Sequence, residues 1–383
     1  MSIKQFYKGR RILVTGDTGF KGSWLAFWLD RLGAEVHGLA LEPDTDPSNF
    51  EILGLRERLR HRTVDIRDFA ALRDAVRSIE PEVVFHLAAQ AIVRVSYEEP
   101  LDTLRANVMG TAHLLQAVRE SGYSAARPCT VVCITSDKCY ENRETYQAYR
   151  EIDPMGGHDP YSMSKGAAEL VISSWRRSFF PPSAWADHGV LVASARAGNV
   201  MGGGDWAPDR IVVDSVRALT AGRPVAVRNP GSIRPWQHVL EPLSGYLQLG
   251  AELAMAAGKR PEFASAYNFG PGRDAERPVR ELVDLLVRHW GKGSWESSQP
   301  ERFSRLHEAV YLKLATDKAW HHLGWKPSWD FERSVRETVK WYRRAYSEGF
   351  GSGPMRKLTG EQIESYTGAA ADLGLRWAGE LDG

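Results

Sequence analysis

The segment "RRILVTGDTGFKGSWLAFWLDRLGAEVHGLAL", residues 10–41, constrains the fold more than any other stretch. An apolar run breaks at a glycine turn, a helical pattern follows, and a second apolar run closes the unit: strand, helix, strand. Gly16, Gly19 and Gly22 stand at the spacing G-x-x-G-x-x-G, at the end of the first strand and the mouth of the helix. Small residues are needed there for the tight turn and for backbone approach to a pyrophosphate, which the helix N-terminus stabilises. The loop therefore predicts a dinucleotide site, with Phe20 at the start of the helix belonging to it.

An acid about twenty residues further on holds the adenosine ribose in such sites. Glu42 is the nearest candidate; Glu42 and Asp44 read equally well as solvated loop acids. No arginine directly follows the second strand, which favours NAD over NADP. Asp65 and Ile66, at the end of the third strand, are placed to border the adenine. Asp17 is awkward, because an anion beside a pyrophosphate is unfavourable unless it turns to solvent.

Further strand-like runs at 61–66, 82–88, 129–136 and 190–197 alternate with helical patterns such as "DFAALRDAVRSI" and "YSMSKGAAELVISSWRRSF". This alternation predicts an α/β fold, a doubly wound parallel Rossmann sheet. From about Gly198 the texture changes to glycine- and proline-punctuated short elements, predicting a smaller C-terminal domain. The expected division is 1–198 for the cofactor domain and 199–350 for the substrate domain, with a strand at 263–269 returning to the sheet. Residues 351–383 form a polar, glycine-rich tail, which is compatible with fraying or with local packing.

The 383 residues carry a formal net charge of +1, which gives no electrostatic footprint for nucleic acid or an anionic membrane. No run approaches the roughly 20 apolar residues of a membrane span, and "MSIKQFYKGRR" lacks the apolar core of a secretory signal. A cytoplasmic protein is expected. Three closely spaced cysteines, 129, 133 and 139, give no disulfide framework. With no histidine pair at finger spacing nearby, no metal site is expected.

The hexapeptide "TSDKCY", 135–140, sets an acid and a base side by side after a buried strand. Alone, Asp137 and Lys138 read as solvated loop charges. Downstream, "YSMSK" places Tyr161 and Lys165 one helical turn apart on one face. An ammonium group there lowers the phenol's pKa, so that a phenolate can take a hydroxyl proton as hydride leaves. Ser136 ends the preceding strand, within reach of that pair.

Together, "VTGDTGFKGSWL", "HLAAQA", "TSDKCY", "DPYSMSK" and "RPWQHV" resemble the extended short-chain dehydrogenase/reductase family over residues 10–345. Within it they resemble the nucleotide-sugar 4,6-dehydratases, nearest in pattern to those taking CDP-glucose. The resemblance implies a tightly held NAD contacted also by Ala88 and Ala89, a nucleotide-sugar substrate, and a homodimer built from helices flanking the sheet. It implies that Tyr161, with Lys165 and Ser136, oxidises carbon 4, after which an acid and a base remove water across carbons 5 and 6. The family usually supplies those two as Asp-Glu. Here the pair is Asp137 and Lys138, and Lys138 either removes the carbon 5 proton or orients Asp137 and a water that do so.

Gln90, Arg94 and Ser96 follow the fourth strand, where ligands bind in such sheets. The resemblance places Asn199, Arg234 and His238 on the substrate, Arg234 as the pyrophosphate's guanidinium. Glu241 stands where the family usually has aspartate. Two rival readings share the cofactor loop: a nucleotide-sugar epimerase, and a dinucleotide-binding protein without catalysis.

Overall fold

The structure, a computed structural model, describes residues 1–298 and 311–379. Among these, seven strands make one parallel sheet: β1 (Arg11–Thr15), β2 (Glu35–Ala40), β3 (Arg60–Thr63), β4 (Val83–His86), β5 (Cys129–Ile134), β6 (Val190–Ala197) and β7 (Ala266–Phe269). Their order is β7-β6-β5-β4-β1-β2-β3, with Ile12 in register with Val36 on one side and Val83 on the other. Every residue of β5 and β6 is buried, as parallel strands covered on both faces require. β3, "RHRT", is the edge strand and is largely exposed. The chain reverses its order of addition between β1 and β4, which opens a crevice at their carboxyl ends.

The expected late strand forms at Ala266–Phe269 and pairs with β6. The residues after 198 add two-stranded pieces, including Ile233–Pro235 antiparallel to Glu276–Pro278. The expected tail is an element of its own: Ser352–Asp372 forms a helix that buries Met355, Leu358 and Tyr366. It packs on the helix Phe20–Arg31, whose Trp28 meets Tyr366 at 6.0 Å and Trp377 at 6.2 Å. Gly22 to Leu29 of that helix are all buried, because it lies between the sheet and the C-terminal elements. The start of the glycine loop's helix is thereby held rigidly over the crevice.

Candidate active site

Gly16 takes a φ of +77°, and a Cβ there would lie 2.7 Å from the Ala88 amide nitrogen. The loop from β1 can therefore rest on the loop from β4 only if this residue is glycine. A Cβ on Gly22 would meet the Gly16 carbonyl oxygen at 1.9 Å. Gly19 caps the helix without any side-chain hydrogen bond, leaving the first-turn N–H groups for an external anion. The Ala88 N–H donates to Thr15 Oγ1 at 3.2 Å, and Ala89 follows it at the crevice. These residues fit a dinucleotide: Gly16 and Gly22 keep the turn tight, and no side chain caps the helix end.

Asp17 avoids the pyrophosphate position without turning to solvent. It is fully buried, with Oδ2 2.8 Å from His61 Nδ1, and it occupies the space above Gly38, where a Cβ would come within 2.0 Å of that oxygen. The carboxylate is folded away behind the loop, paired with an edge-strand histidine, and so leaves the anion position clear. Glu42 stands at the exposed rim, bonded to Arg56 at 2.7 Å and Thr63 at 2.8 Å, and both bonds hold it below the usual carboxylate range. Asp65 is tied to Arg67, while Ile66 is buried under Gly110 and gives its carbonyl to His113.

Past β5 the chain makes a short 3-10 turn, Asp137–Cys139, capped by Ser136. The Ser136 hydroxyl donates to Asp137 Oδ1 at 2.9 Å and accepts the Lys138 N–H at 3.2 Å. The helix Pro160–Ser178 starts on the Asp159 cap and sets Tyr161 and Lys165 on one face, the Lys165 Nζ 5.9 Å from the Tyr161 ring centre. Contrary to the expected lowering by Lys165, burial pushes the Tyr161 phenol up to about 12, with a Ser136 hydrogen bond acting against it. Burial also brings Lys165 down to about 8, opposed by the Glu169 carboxylate. Asp137 is raised by burial, against the pull of Lys138, Ser136 and Lys21. A carboxyl raised in this way can carry a proton to a leaving group.

Sequence reasoning missed the polar network below this turn. Glu169 accepts from Arg196 at 2.7 Å and from Ser194 at 2.8 Å, while Arg196 also donates to the Tyr140 hydroxyl at 2.7 Å. This buried ion pair ties the catalytic helix to β6. It also missed Lys21, Asp205 and Arg210: Arg210 pairs with Asp205 at 3.3 Å, and both act electrostatically on Lys21. Only a fold that returns the 198–210 loop over the cofactor helix brings them together.

Of the expected substrate residues, Arg94 is on the surface beside Glu98 and Asp209, and Asn199 is exposed just after β6. Arg234 lies opposite Arg277 in the short antiparallel pair, with Nη1 donating to the Ile233 carbonyl at 2.9 Å. Gln90 is engaged by its own loop, donating to Thr103 Oγ1 at 2.8 Å and accepting the Ile92 N–H. Ser96 is a correction: it is fully buried, and its hydroxyl accepts the Tyr161 N–H at 3.1 Å, so it anchors the tyrosine. His238 is a second: its ring is fully buried 4.9 Å from Trp329 and 5.9 Å from Trp24, and burial holds it neutral, down to about 3. Its neighbours Trp236 and Gln237 are buried too, so the motif's face toward any ligand is Arg234. Among the described residues no group of three His, Cys, Asp or Glu could hold a metal.

Residues 13–338 match the family described as GDP-mannose 4,6 dehydratase. A CDP-glucose 4,6-dehydratase of Salmonella typhimurium is 50% identical over 344 residues, 90% of this chain and 93% of the relative. A dTDP-glucose 4,6-dehydratase of Streptomyces antibioticus is 31% identical over 76% of this chain and 78% of its own. The crystal structure of DesIV, a dTDP-glucose 4,6-dehydratase from Streptomyces venezuelae with NAD and TYD bound, is 25% identical. It superposes with a TM-score of 0.71 over 90% of this chain and 99% of that one. With the glycine cradle, the Ser136–Tyr161–Lys165 set and a match along most of its length, this chain belongs to the GDP-mannose 4,6 dehydratase family.

Proposed function

We propose that this chain is an NAD-dependent nucleotide-sugar 4,6-dehydratase that converts CDP-glucose to CDP-4-keto-6-deoxyglucose. The observation that carries the chemistry is the turn after β5, where Ser136, which acts on the Tyr161 phenol, also donates to the adjacent Asp137, the elimination acid. The choice of CDP-glucose is supported by the half-identical relative that bears that name. When bound, NAD supplies the acceptor and later the donor of the carbon 4 hydrogen, held by Gly16, Gly19, Phe20, Gly22, Ala88 and Ala89.

Tyr161, bonded to Ser136 and next to Lys165, takes the carbon 4 hydroxyl proton. The resulting ketone acidifies the carbon 5 proton, which is removed either by the neutral Lys138 amine or by Asp137 and a water that Lys138 orients. Asp137, whose proton affinity burial raises, gives a proton to the departing carbon 6 hydroxyl, which leaves as water. Carbon 6 is then reduced by the hydrogen removed from carbon 4, and carbon 5 takes a solvent proton. Arg234 is assigned to the substrate pyrophosphate.

Residues 1–198 with β7 act as the cofactor domain and 199–350 as the substrate domain. Exposed Leu101, Met109, Met163 and Leu170, on helices flanking the sheet, support a homodimer through those helices. A cytoplasmic location completes the reading. Among the described residues no helix is long and apolar enough to cross a membrane. Turnover assays with CDP-, UDP-, dTDP- and GDP-glucose test the substrate: CDP-glucose is expected to be preferred, and preference for another base would overturn that assignment.

A further inference from the structure

The turn that carries Asp137 and Lys138 is held only loosely by its own backbone. Its closing bonds, from the Cys139 N–H to the Ser136 carbonyl and from the Tyr140 N–H to the Asp137 carbonyl, are 3.2 and 3.3 Å long, in keeping with the poorer geometry of a 3-10 turn. The two residues that bracket Ser136–Cys139 end instead on one buried ion pair. Ahead of the turn, Thr135 Oγ1 donates to Glu169 at 2.5 Å. Behind it, the Tyr140 hydroxyl accepts from Arg196 at 2.7 Å, and Glu169 and Arg196 are themselves joined at 2.7 Å.

Tyr140 is fixed from three sides. Its buried ring stacks on Tyr149, with centres 5.2 Å apart and planes 18° from parallel, and the Arg196 guanidinium lies 5.0 Å from the ring centre. Its hydroxyl donates to Asn268 Oδ1 at 2.8 Å. Asn268, on β7, cannot turn away, because its Nδ2 donates to the Tyr149 and Ala315 carbonyls at 2.9 and 3.1 Å. One hydroxyl therefore ties the far end of the turn to both β6 and β7. Tyr161 is held by other means: Asp159 caps its helix, Ser96 accepts its N–H at 3.1 Å, and Ser164 donates to its carbonyl at 2.7 Å. None of those bonds passes through Tyr140.

Resting on the dehydratase reading above, we infer that Tyr140 is a positioning residue for the elimination: its hydroxyl, bridging Arg196 and Asn268, fixes the turn that presents Asp137 and Lys138, and does not bear on Tyr161 and Lys165. A displacement of about 1 Å can cost roughly 100-fold in rate. Loosening this end of the turn therefore slows water loss and spares the oxidation at carbon 4.

The test compares wild type, Tyr140→Phe and Ser194→Ala in single-turnover reaction with CDP-glucose, following reduced cofactor by absorbance and water loss by product mass. Tyr140→Phe keeps the ring stack and removes only the hydroxyl. Ser194→Ala removes a different hydroxyl from the same ion pair, the one that donates to Glu169 at 2.8 Å from β6, away from the turn. In Tyr140→Phe, water loss is expected to slow about tenfold or more while carbon 4 oxidation stays within about twofold, so that reduced cofactor accumulates. Ser194→Ala should partition between the two steps as wild type does, even where its stability falls. A readout independent of turnover is hydrogen exchange of the Cys139 and Tyr140 amides, expected to quicken in Tyr140→Phe and not in Ser194→Ala. If Tyr140→Phe does not fold, Arg196→Lys, which keeps the charge beside Glu169 and gives up the guanidinium fork, carries the same comparison. Oxidation and water loss slowed alike in Tyr140→Phe, a wild-type partition there, or the same partition defect in Ser194→Ala would overturn the inference. Absence of dehydration by the wild-type protein would instead overturn the dehydratase reading, with amide exchange still deciding whether the hydroxyl holds the turn.

Discussion

Asp17 and His61 form a buried pair, 2.8 Å apart, behind the cofactor loop, and Gly38 leaves the room in which the carboxylate lies. An acid one residue after the first loop glycine is thus kept from the anion position by a histidine 44 positions away in sequence. Replacing Gly38 by alanine would put a Cβ 2.4 Å from the Asp17 Cγ, so the carboxylate must leave its place. A carboxylate displaced toward the loop would stand beside the anion position. NAD affinity is expected to fall about tenfold or more in Gly38→Ala, as a close like charge costs over 1 kcal/mol in a partly buried site. Isothermal titration checks this, and unchanged affinity would mean that the pair has no bearing on the cofactor.

Lys138→Ala should leave carbon 4 oxidation in place, because Ser136, Tyr161 and Lys165 are untouched. Water loss should slow by about 100-fold or more, the usual contribution of a positioned acid or base. Rapid mixing would then show reduced cofactor building up by its near-ultraviolet absorbance. Turnover equal to wild type would remove Lys138 from the elimination.

Arg234 and His238 come from one motif and part company in the structure. Arg234→Ala is expected to raise KM for the sugar nucleotide by roughly tenfold or more with little change in kcat, as a lost charge-assisted hydrogen bond does. His238→Phe, in an aromatic core, should leave KM unchanged and register only in stability. Steady-state kinetics on both variants checks the pair, and a KM change in His238→Phe alone would reverse the assignment.

Glu241 is buried where the family usually has aspartate, accepting from the Trp329 N–H at 2.8 Å, the Ser328 N–H at 3.0 Å and the Tyr366 hydroxyl at 2.7 Å. Burial outweighs these donors and pushes it up to about 7. Since the folded value lies above the unfolded one of about 4.3, its stabilising contribution is full below that pH and is lost as pH rises through 7. The change amounts to about 4 kcal/mol. Wild-type stability should therefore fall between about pH 5 and pH 8 more steeply than that of Glu241→Gln. Chemical denaturation at both values checks this; parallel losses would contradict it.

Local patterns made much of this molecule legible. The glycine spacing, the strand-helix alternation and the Tyr161–Lys165 spacing each act over one helix turn or one β-α-β unit, and each reads through to the structure. What stayed hidden depends on chain folding back over long separations. Asp17 reads as a liability until the edge strand supplies His61. The helix Ser352–Asp372, with three internal glycines, has weak helical patterning, and docking on Trp28 and Glu241 provides its buried face. His238 shares a motif with Arg234, and only the packing of Trp24 and Trp329 around it separates core from ligand face.

The central claim is tested most directly by incubating the protein with CDP-glucose and NAD in deuterated water and measuring the product's mass and NMR spectrum. The account predicts a product lighter by one water, with one solvent deuterium at carbon 5 and the original carbon 4 hydrogen at carbon 6. A product of unchanged backbone mass with only carbon 4 inverted would identify an epimerase and contradict the elimination assigned to Asp137 and Lys138.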